Sequence, residues 1–312
     1  MIGRMTYGKD ASAAALRDWL ADKRSITLVT GRASYAACGA ESFLSPFLSG
    51  KKVTHLTTIG ENARTEDVDV KRGEIPADGD AFIAVGGGTV IDTTKLLRCG
   101  YPSEITPEKR YLPFLAIPTT AGTGAEATRF AVYYDYGKKC SADNERYLPT
   151  DILLIPEFTA TQSAYQRAST EFDAYAQAVE SLWANGATEE SREYAHKALD
   201  LMSRGEQMLG AYWAGRAIDI SRTTAAHAFS YYLTSHYGVP HGAAVYMIFP
   251  YICRANGYPE YIKTVPELKS LREFAAEKQL DWDALIDALL ANVNPARLGN
   301  NPKRISKESF YV

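Results

Sequence analysis

The sequence predicts an α/β domain built on a parallel sheet, followed by an all-α domain. Two observations predict this architecture. Before residue 156, short apolar runs alternate with helical periodicities, as they do in βαβ units whose helices cover both faces of a sheet. After residue 156, one helical periodicity follows another and few β-branched runs remain. We predict the boundary within 156–165, so the two domains would span 1–158 and 159–312.

The elements follow one another in a definite order. Amphipathic periodicity predicts helices over 11–22 and 34–48 in the first half. Short apolar runs predict buried strands over 26–30, 53–58, 81–85 and 112–117. In the second half, the same periodicity predicts helices over 170–187, 190–210, 213–236, 243–256 and 282–291.

Composition excludes several kinds of partner. The composition is not strongly basic, with a formal net charge of −3, so we do not expect nucleic acid as a partner. The amino terminus has no apolar leader, and no stretch of about twenty residues is free of charged and polar breaks. We therefore expect a cytoplasmic protein without a membrane segment. The four cysteines are scattered and form no CxxC pair, so we expect free thiols.

Two glycine-rich segments each follow a predicted strand. Gly87 and Gly88 lead into a helix near Thr89, where backbone N–H groups can bind phosphate, although such glycines can also form only a tight turn. The segment at 118–126 is dense in threonine and glycine, and its hydroxyls suit ribose, pyrophosphate or an amide. Two such loops at the carboxyl ends of strands predict a dinucleotide site.

A carboxylate and two histidines in the second half suit a divalent metal. On one helix, Asp173 shares a face with Gln177 and Glu180. His227 is predicted deep in a later helix, and His241 in a Pro/Gly turn fourteen residues on. An Asp/His/His set suits Zn²⁺ or Fe²⁺ and leaves a position open for substrate. A hydrogen-bonded core histidine is the alternative for His227.

Several segments carry a family resemblance, beginning with GGGTVIDTTK at 86–95, PTTAGTGAE at 118–126, and the run from His227 to Gly242. They resemble the iron-containing (group III) alcohol dehydrogenase family, as do EFDAYAQAVES at 171–181 and NVNPARLGNNP at 292–302. The resemblance implies a Rossmann-like amino-terminal domain and a helical carboxyl-terminal domain, in the architecture shared with dehydroquinate synthase. It also implies nicotinamide-dependent chemistry at a metal in the cleft between the domains.

The resemblance assigns residues to each ligand. The metal ligands would be Asp173, Gln177, His227 and His241. The cofactor-binding residues would be Gly31, Arg32, Ser34, Gly87, Gly88, Thr89, Asp92, Lys95, Thr119, Thr120 and Thr123. Members that hold iron commonly have histidine at position 177, whereas relatives with only Asp/His/His usually hold zinc. Many NAD-preferring members have aspartate where this chain has Gly31, so Arg32 and Ser34 are expected to favour NADPH over NADH.

Within the family, the segments 138–141, 176–195 and 292–302 look most like the phosphonoacetaldehyde reductase branch. The implied reaction reduces a small aldehyde to a primary alcohol, with phosphonoacetaldehyde and 2-hydroxyethylphosphonate as the specific pair. The alcohol proton would come from water, His236 or Tyr231. Arg129 and Lys139 are candidates to bind the phosphonate.

Other functions stay open at this point. A general short-chain alcohol dehydrogenase and a sulfoacetaldehyde reductase are the nearest alternatives. A dehydroquinate synthase-like lyase needs a basic cluster near the metal, which 222–242 lacks. A protein that only binds nucleotide is the remaining possibility. For any of these we expect a homodimer.

Overall fold

The computed structural model describes residues 3–58, 60, 62–106, 108 and 111–311. The chain divides into two compact units. Unit 1 comprises Met1–Thr120 and Gly124–Gln162, and unit 2 comprises Ala121–Thr123 and Ser163–Val312. The short segment Ala121–Thr123 thus belongs to the helical unit, although the residues on both sides of it in the sequence belong to unit 1. The sequence does not predict this.

A six-stranded parallel sheet is the centre of unit 1. Its strands are β1 Arg4–Tyr7, β2 Ser25–Thr30, β3 Lys52–Thr57, β4 Ala81–Gly86, β5 Phe114–Pro118 and β8 Asp151–Leu154. Their order in the sheet is β1-β8-β5-β4-β2-β3, and each neighbouring pair is parallel. The predicted parallel α/β domain is confirmed. The strands β1 and β8 were not predicted.

Helices cover both faces of this sheet. They are α1 Lys9–Leu20, α2 Ser34–Ala37, α3 Ala40–Leu48, α4 Thr65–Arg72 and α5 Gly88–Cys99. Successive strand residues point to opposite faces. On one face, Ile26 and Ile83 pack with α1 and α3, and on the other Val29 and Phe82 pack with α5. Each face therefore has its own apolar core.

A separate antiparallel hairpin follows β5. It consists of β6 Phe130–Asp135 and β7 Lys138–Asp143. Its turn has positive φ at both central residues, Tyr136 (45°) and Gly137 (85°), which matches the twist of a two-residue hairpin. Tyrosine rarely occupies such a position, so the sequence carries no ordinary hairpin signal here.

Unit 2 is helical, as predicted. Its helices are α6 Ala164–Trp183, α7 Glu189–Ser203, α8 Gln207–Ser221, α9 Ala225–Tyr237, α10 His241–Asn256, α11 Leu271–Glu277, α12 Trp282–Ala291 and α13 Pro295–Gly299. Its apolar core lies mainly among α6, α9 and α10, with Phe172, Phe229 and Phe249 fully or nearly buried. No helix among the described residues is long and apolar enough to cross a membrane.

Three predicted helices are wrong because each is broken. The helix predicted over 34–48 divides at Gly39, whose φ of 82° cannot continue a right-handed helix. The helix over 190–210 is interrupted near Gly205 (φ 81°). The helix over 213–236 divides between α8 and α9, where Arg222 has φ 62°. The third break has no glycine or proline to mark it.

Candidate functional site

The order of the strands places a reversal between β2 and β4. From β2 the chain goes to β3 on one side and then returns to β4 on the other side. In open parallel sheets, ligands bind beyond the carboxyl ends of the strands at such a reversal. Here those ends are Gly31, directly after β2, and Gly87, directly after β4.

The two glycine-rich loops lie side by side at this edge. Strands β4 and β5 pair so that Gly86 is opposite Pro118. The N–H of Thr119 donates to the carbonyl of Gly86 at 3.1 Å. A Cβ on Gly87 would lie 3.3 Å from the Thr120 side chain, so glycine keeps this approach close. Gly88 is the first residue of α5, whose free N–H groups suit a phosphate.

Ser34 fills the space beside Gly31. A Cβ built on Gly31 would overlap the Ser34 hydroxyl oxygen, whereas Arg32 is exposed to solvent. The site at the end of β2 therefore offers a hydroxyl and an arginine instead of a carboxylate.

Asp92 and Lys95 are occupied by the protein itself. The Lys95 ammonium is fully buried and donates to Asp92 at 3.1 Å and to the carbonyl of Phe130. Asp92 in turn accepts from the N–H of Val132 at 3.0 Å. These bonds fasten α5 to β6. The assignment of Asp92 and Lys95 to cofactor binding stays a prediction. These contacts argue against it, because the buried Lys95 ammonium already binds Asp92 and the carbonyl of Phe130.

The candidate phosphonate-binding residues lie in unit 1. The guanidinium of Arg129 is 3.7 Å from the exposed carboxylate of Glu145. Lys139 lies in β7 and is partly exposed. Both side chains therefore belong to the hairpin region of unit 1.

In unit 2, one face of α6 presents three buried polar side chains. Asp173, Gln177 and Glu180 are 2%, 3% and 0% exposed. Their spacing of four and three residues puts them in line along the helix. The periodicity predicts that Asp173 lies near the start of a helix, but it lies in the middle of α6. The helix begins earlier, because Ser163, ten residues before Asp173, caps it by accepting from the N–H of Gln166.

The two histidines converge on Asp173. His227 lies in the first turn of α9, not deep in a helix as predicted, and His241 is the first residue of α10. Their ring centroids are 5.5 Å apart. Nε2 of His227 is 3.1 Å from an Asp173 carboxylate oxygen, and Nε2 of His241 is 3.9 Å from the same oxygen. One ligand atom from each of the three residues lies within 4.8 Å of the other two.

Both rings are oriented by a second partner. Nδ1 of His227 donates to Glu180 at 2.5 Å. Nδ1 of His241 is 3.4 Å from the Ser230 hydroxyl oxygen, and that hydroxyl donates to the carbonyl of His227 at 2.8 Å. The Ser230 oxygen therefore accepts from Nδ1 of His241. With Nδ1 engaged in each ring, Nε2 is the atom presented to a common ligand.

Glu180 was not assigned a role from the sequence. Its carboxylate accepts from the N–H of Thr224 (3.0 Å), the hydroxyl of Thr224 (2.7 Å), the N–H of Ala226 (2.8 Å) and Nδ1 of His227. It thereby fixes the start of α9 and the His227 ring together. The one signal in the sequence is its position on the Asp173 face of α6.

Electrostatics at the site favour ionised carboxylates. Burial alone would raise the pKa of Asp173, but the charge of His241 and the hydrogen bond from His227 hold it below its usual range. Burial alone would likewise raise the pKa of Glu180, but the charge of His227 and its hydrogen bond lower it. Burial alone would lower the pKa of His227, but Glu180 and Asp173 raise it to about 9. The three groups form a strongly coupled polar cluster.

The donor set fits a divalent metal ion. One carboxylate and two Nε2 atoms are ligands that Zn²⁺ and Fe²⁺ accept, and three protein ligands leave a position open. Gln177 adds a further observation. Its amide nitrogen donates to the carbonyl of Thr123 at 3.3 Å, while its buried carbonyl oxygen has no hydrogen-bond partner among the described residues. A cation within reach of this oxygen would satisfy it.

Tyr231 and His236 occupy different faces of α9. Tyr231 is one turn after His227, and its ring centroid is 6.3 Å from that of His241. His236 is nine residues after His227, which places it on the opposite face, where it is exposed and stacks on Tyr232 at 5.0 Å. Of the two predicted proton donors, only Tyr231 is brought to the cluster.

Comparison with known proteins gives one family. The profile of iron-containing alcohol dehydrogenases matches residues 3–156, and that of the carboxyl-terminal region of the same family matches residues 176–294. A phosphonoacetaldehyde reductase from Streptomyces viridochromogenes is 30% identical over 210 residues, which are 57% of this chain and 53% of that protein. The chain thus spans about half the length of this curated relative.

Solved structures share the fold over nearly the whole chain. An iron-containing alcohol dehydrogenase from Thermotoga maritima superposes with a TM-score of 0.81 at 25% identity, covering 99% of this chain and 96% of that one. A sulfoacetaldehyde reductase from Bifidobacterium kashiwanohense, solved in complex with NAD⁺, gives 0.83 at 22% identity, covering 98% and 94%. The two matching profiles cover most of both units, and the chain belongs to the iron-containing alcohol dehydrogenase family.

Proposed function

We propose that the protein is a metal-dependent, NAD(P)H-linked reductase that converts a small aldehyde to a primary alcohol. The observation that carries the proposal is the convergence of Asp173, His227 and His241 on one point of unit 2. Three such ligands leave room for a substrate oxygen. Membership in a family of alcohol dehydrogenases supports the same reaction class.

Asp173, His227 and His241 would hold the ion, with the carbonyl oxygen of Gln177 as a fourth, weaker donor. When bound, the ion would polarise the aldehyde oxygen and a reduced nicotinamide would supply the hydride. We propose Tyr231 as the donor of the proton that completes the alcohol; the support is that Tyr231 lies one turn from His227 and that its ring centroid is 6.3 Å from that of His241. His236 points the other way and is not assigned this role.

The cofactor would lie along the carboxyl edge of the sheet in unit 1. Gly87, Gly88 and Thr89 would bind the pyrophosphate at the start of α5. Thr119, Thr120 and Thr123 would contact the nicotinamide half from the adjacent loop. We propose a preference for NADPH, since Arg32 and the Ser34 hydroxyl stand where a carboxylate would repel the 2′-phosphate.

Within this reaction class we propose an aldehyde that carries a phosphonate. The support is the similarity to a phosphonoacetaldehyde reductase. Arg129 and Lys139 are the cations proposed to bind the dianion. We also propose a cytoplasmic location and a homodimeric state. Sedimentation of the purified protein would test the homodimer.

A panel of aldehydes tests the whole proposal. NADPH and NADH oxidation would be followed with phosphonoacetaldehyde, sulfoacetaldehyde and propionaldehyde, with and without a chelator. We expect turnover that the chelator abolishes and added Zn²⁺ or Fe²⁺ restores. Cofactor binding without turnover of any aldehyde would overturn the reductase assignment and leave a nucleotide-binding protein or a lyase.

The same panel separates the substrate proposal from the reaction class. In the Arg129→Ala variant, we expect KM to rise at least ~10-fold for phosphonoacetaldehyde and to change little for propionaldehyde, since only the dianion needs a cation. Equal changes for both aldehydes would remove Arg129 from the phosphonate site and leave the reductase assignment untouched.

A further inference from the structure

The turn before His227 has an unusual backbone. Residues 222–224 connect α8 to α9, and Arg222 there has φ 62° and ψ 167°. This region of backbone conformation is essentially restricted to glycine. A non-glycine residue stays in it only when neighbouring groups hold the chain on both sides. The structure shows one group that does so from both sides.

Asn300 binds both sides of Arg222. Its side-chain amide nitrogen donates to the carbonyl of Ser221 at 2.8 Å and to the carbonyl of Thr223 at 3.1 Å. Its side-chain oxygen accepts from the N–H of Gly186 at 2.9 Å. The amide has two N–H donors, and both are used on carbonyls of the two residues that flank Arg222 in sequence. Asn300 therefore fixes the path of this turn.

The turn leads directly into the metal cluster. Thr224 donates to Glu180 through both its N–H and its hydroxyl, and Ala226 donates to the same carboxylate. Glu180 also accepts from Nδ1 of His227. A shift of the turn would move these donors and, through Glu180, the imidazole whose Nε2 faces Asp173. Asn300 is thus connected to His227 through its hydrogen bonds to the turn at 222–224, the bonds from Thr224 to Glu180, and the bond from Nδ1 of His227 to Glu180.

We propose that Asn300, in the carboxyl-terminal segment, is a positioning residue for the metal site: it holds the turn at 222–224 in the conformation that aims His227 at Asp173. The proposal rests on the metal site of the proposed function. It assigns a purpose to part of the NVNPARLGNNP motif, which is distant in sequence from every candidate ligand.

The neighbouring residue Asn301 supplies a matched control. It is 5% exposed and exchanges two amide hydrogen bonds with Asn256, at 3.0 and 2.9 Å, and its amide nitrogen also donates to the carbonyl of Lys303 at 2.8 Å. Its side chain is at least as buried and as well bonded as that of Asn300, but its partners lie away from the 222–224 turn. A general loss of stability in this segment should therefore affect both variants.

The experiment compares metal binding in the full chain. The wild type, Asn300→Ala, Asn300→Asp and Asn301→Ala would be stripped of metal, and Zn²⁺ affinity would be measured by competition with a chromophoric chelator. The visible spectrum of the Co²⁺-loaded protein would report ligand geometry. We expect Asn300→Ala and Asn300→Asp to weaken Zn²⁺ binding at least ~10-fold and to alter the Co²⁺ spectrum, as outer partners of metal ligands do. Asn301→Ala should change the affinity less than about twofold.

Two further comparisons keep the outcome decisive. Asn300→Asp retains the oxygen that accepts from Gly186, so it carries the test if Asn300→Ala does not fold. Adding Arg222→Gly to either Asn300 variant should restore much of the affinity, because glycine adopts this conformation readily. Equal losses in the Asn300 and Asn301 variants, or unchanged affinity in both Asn300 variants, would overturn the proposal. Failure of the wild type to bind metal would instead overturn the proposed metal site.

Discussion

Nδ1 of His227 lies 2.5 Å from the carboxylate of Glu180, on the side of the ring away from Asp173. This contact decides which nitrogen of the ring faces the cluster. A carboxylate can only accept there, so Nδ1 carries a proton and Nε2 is directed at Asp173 and His241. Histidines that bind metals commonly have such a partner on the opposite nitrogen.

Replacing Glu180 by glutamine should weaken metal binding. The variant has one acceptor oxygen and an NH₂ group where the carboxylate now accepts from Thr224, Ala226 and His227. Buried donors left without a partner cost about 1–3 kcal/mol each, and loss of an outer partner costs about 10–100-fold in metal affinity. Zn²⁺ competition and thermal unfolding would measure both effects. Glu193→Gln, on the exposed surface of α7, should change neither, and unchanged affinity in Glu180→Gln would deny Glu180 this role.

The candidate site was partly predictable from the sequence. Asp173, Gln177 and Glu180 lie in line along α6 because of helical spacing, and the family motifs point to His227 and His241. The role of Glu180 was not predictable, because its partners Thr224 and His227 are more than forty residues away along the chain. Such long-range pairing depends on how α6 packs on α9, which no local pattern reports.

Long-range contacts also limit how well the sequence predicts individual strands and helix ends. The strand Ala81–Gly86 is apolar throughout and fully buried, and the sequence predicts it well. The strand Arg4–Tyr7 has only four residues and mixes polar with apolar side chains, so its partner Asp151–Leu154 decides its conformation. The helix break at Arg222 is likewise marked by no glycine or proline, and its partner Asn300, which binds the carbonyls of Ser221 and Thr223, lies far along the chain.

Gly242→Ala should disturb the site through packing. A Cβ at this position would overlap the backbone carbonyl of Ser169, so α10 would have to move away from α6. His241 is the preceding residue, and it would lose its alignment with Asp173. We expect a lower melting temperature and weaker Zn²⁺ binding, measured by calorimetry and chelator competition. Gly299→Ala has open space around its Cβ and should leave both values unchanged; a similar loss in both variants would contradict this account.

Glu126 should make unit 1 less stable as the pH rises. Burial raises the pKa of this carboxyl from 4.5 to about 7, against the opposing effects of its own backbone N–H and Lys95. A folded-state pKa above the unfolded value means that stability falls as the pH rises from about 4.5 to about 7. At one pKa unit per about 1.4 kcal/mol, the difference reaches roughly 3 kcal/mol.

Glu126→Gln tests this directly, since glutamine does not ionise. Urea unfolding should give similar values for the variant and the wild type near the acid end of the transition, with the variant gaining stability relative to the wild type up to pH 8. Glu74→Gln, at an exposed position of unit 1, should give no such trend. A difference between Glu126→Gln and the wild type that does not change with pH would show that Glu126 stays in one protonation state.

Gly31→Asp should shift the cofactor preference toward NADH. A carboxylate after β2 would accept from the ribose hydroxyls of NADH and repel the 2′-phosphate of NADPH. Because a side chain at 31 would overlap the Ser34 hydroxyl, the double variant with Ser34→Ala should show the larger change. Steady-state kcat/KM with each cofactor measures the shift, for which we expect at least ~10-fold loss with NADPH. A parallel loss with both cofactors would indicate damage to the loop and not a change in preference.

Tyr231→Phe should slow the reductase more than any change at His236. The Tyr231 ring faces His241 across 6.3 Å and lies one turn from His227, whereas His236 stacks on Tyr232 on the far face of α9. Removing a positioned proton donor costs about 10²–10⁴-fold in rate, so kcat should fall by at least ~10²-fold in Tyr231→Phe while Zn²⁺ affinity is kept. His236→Phe preserves the aromatic stack and should keep nearly full activity. Should Tyr231→Phe retain its kcat, water would be the proton donor, and the tyrosine would serve only to shape the site.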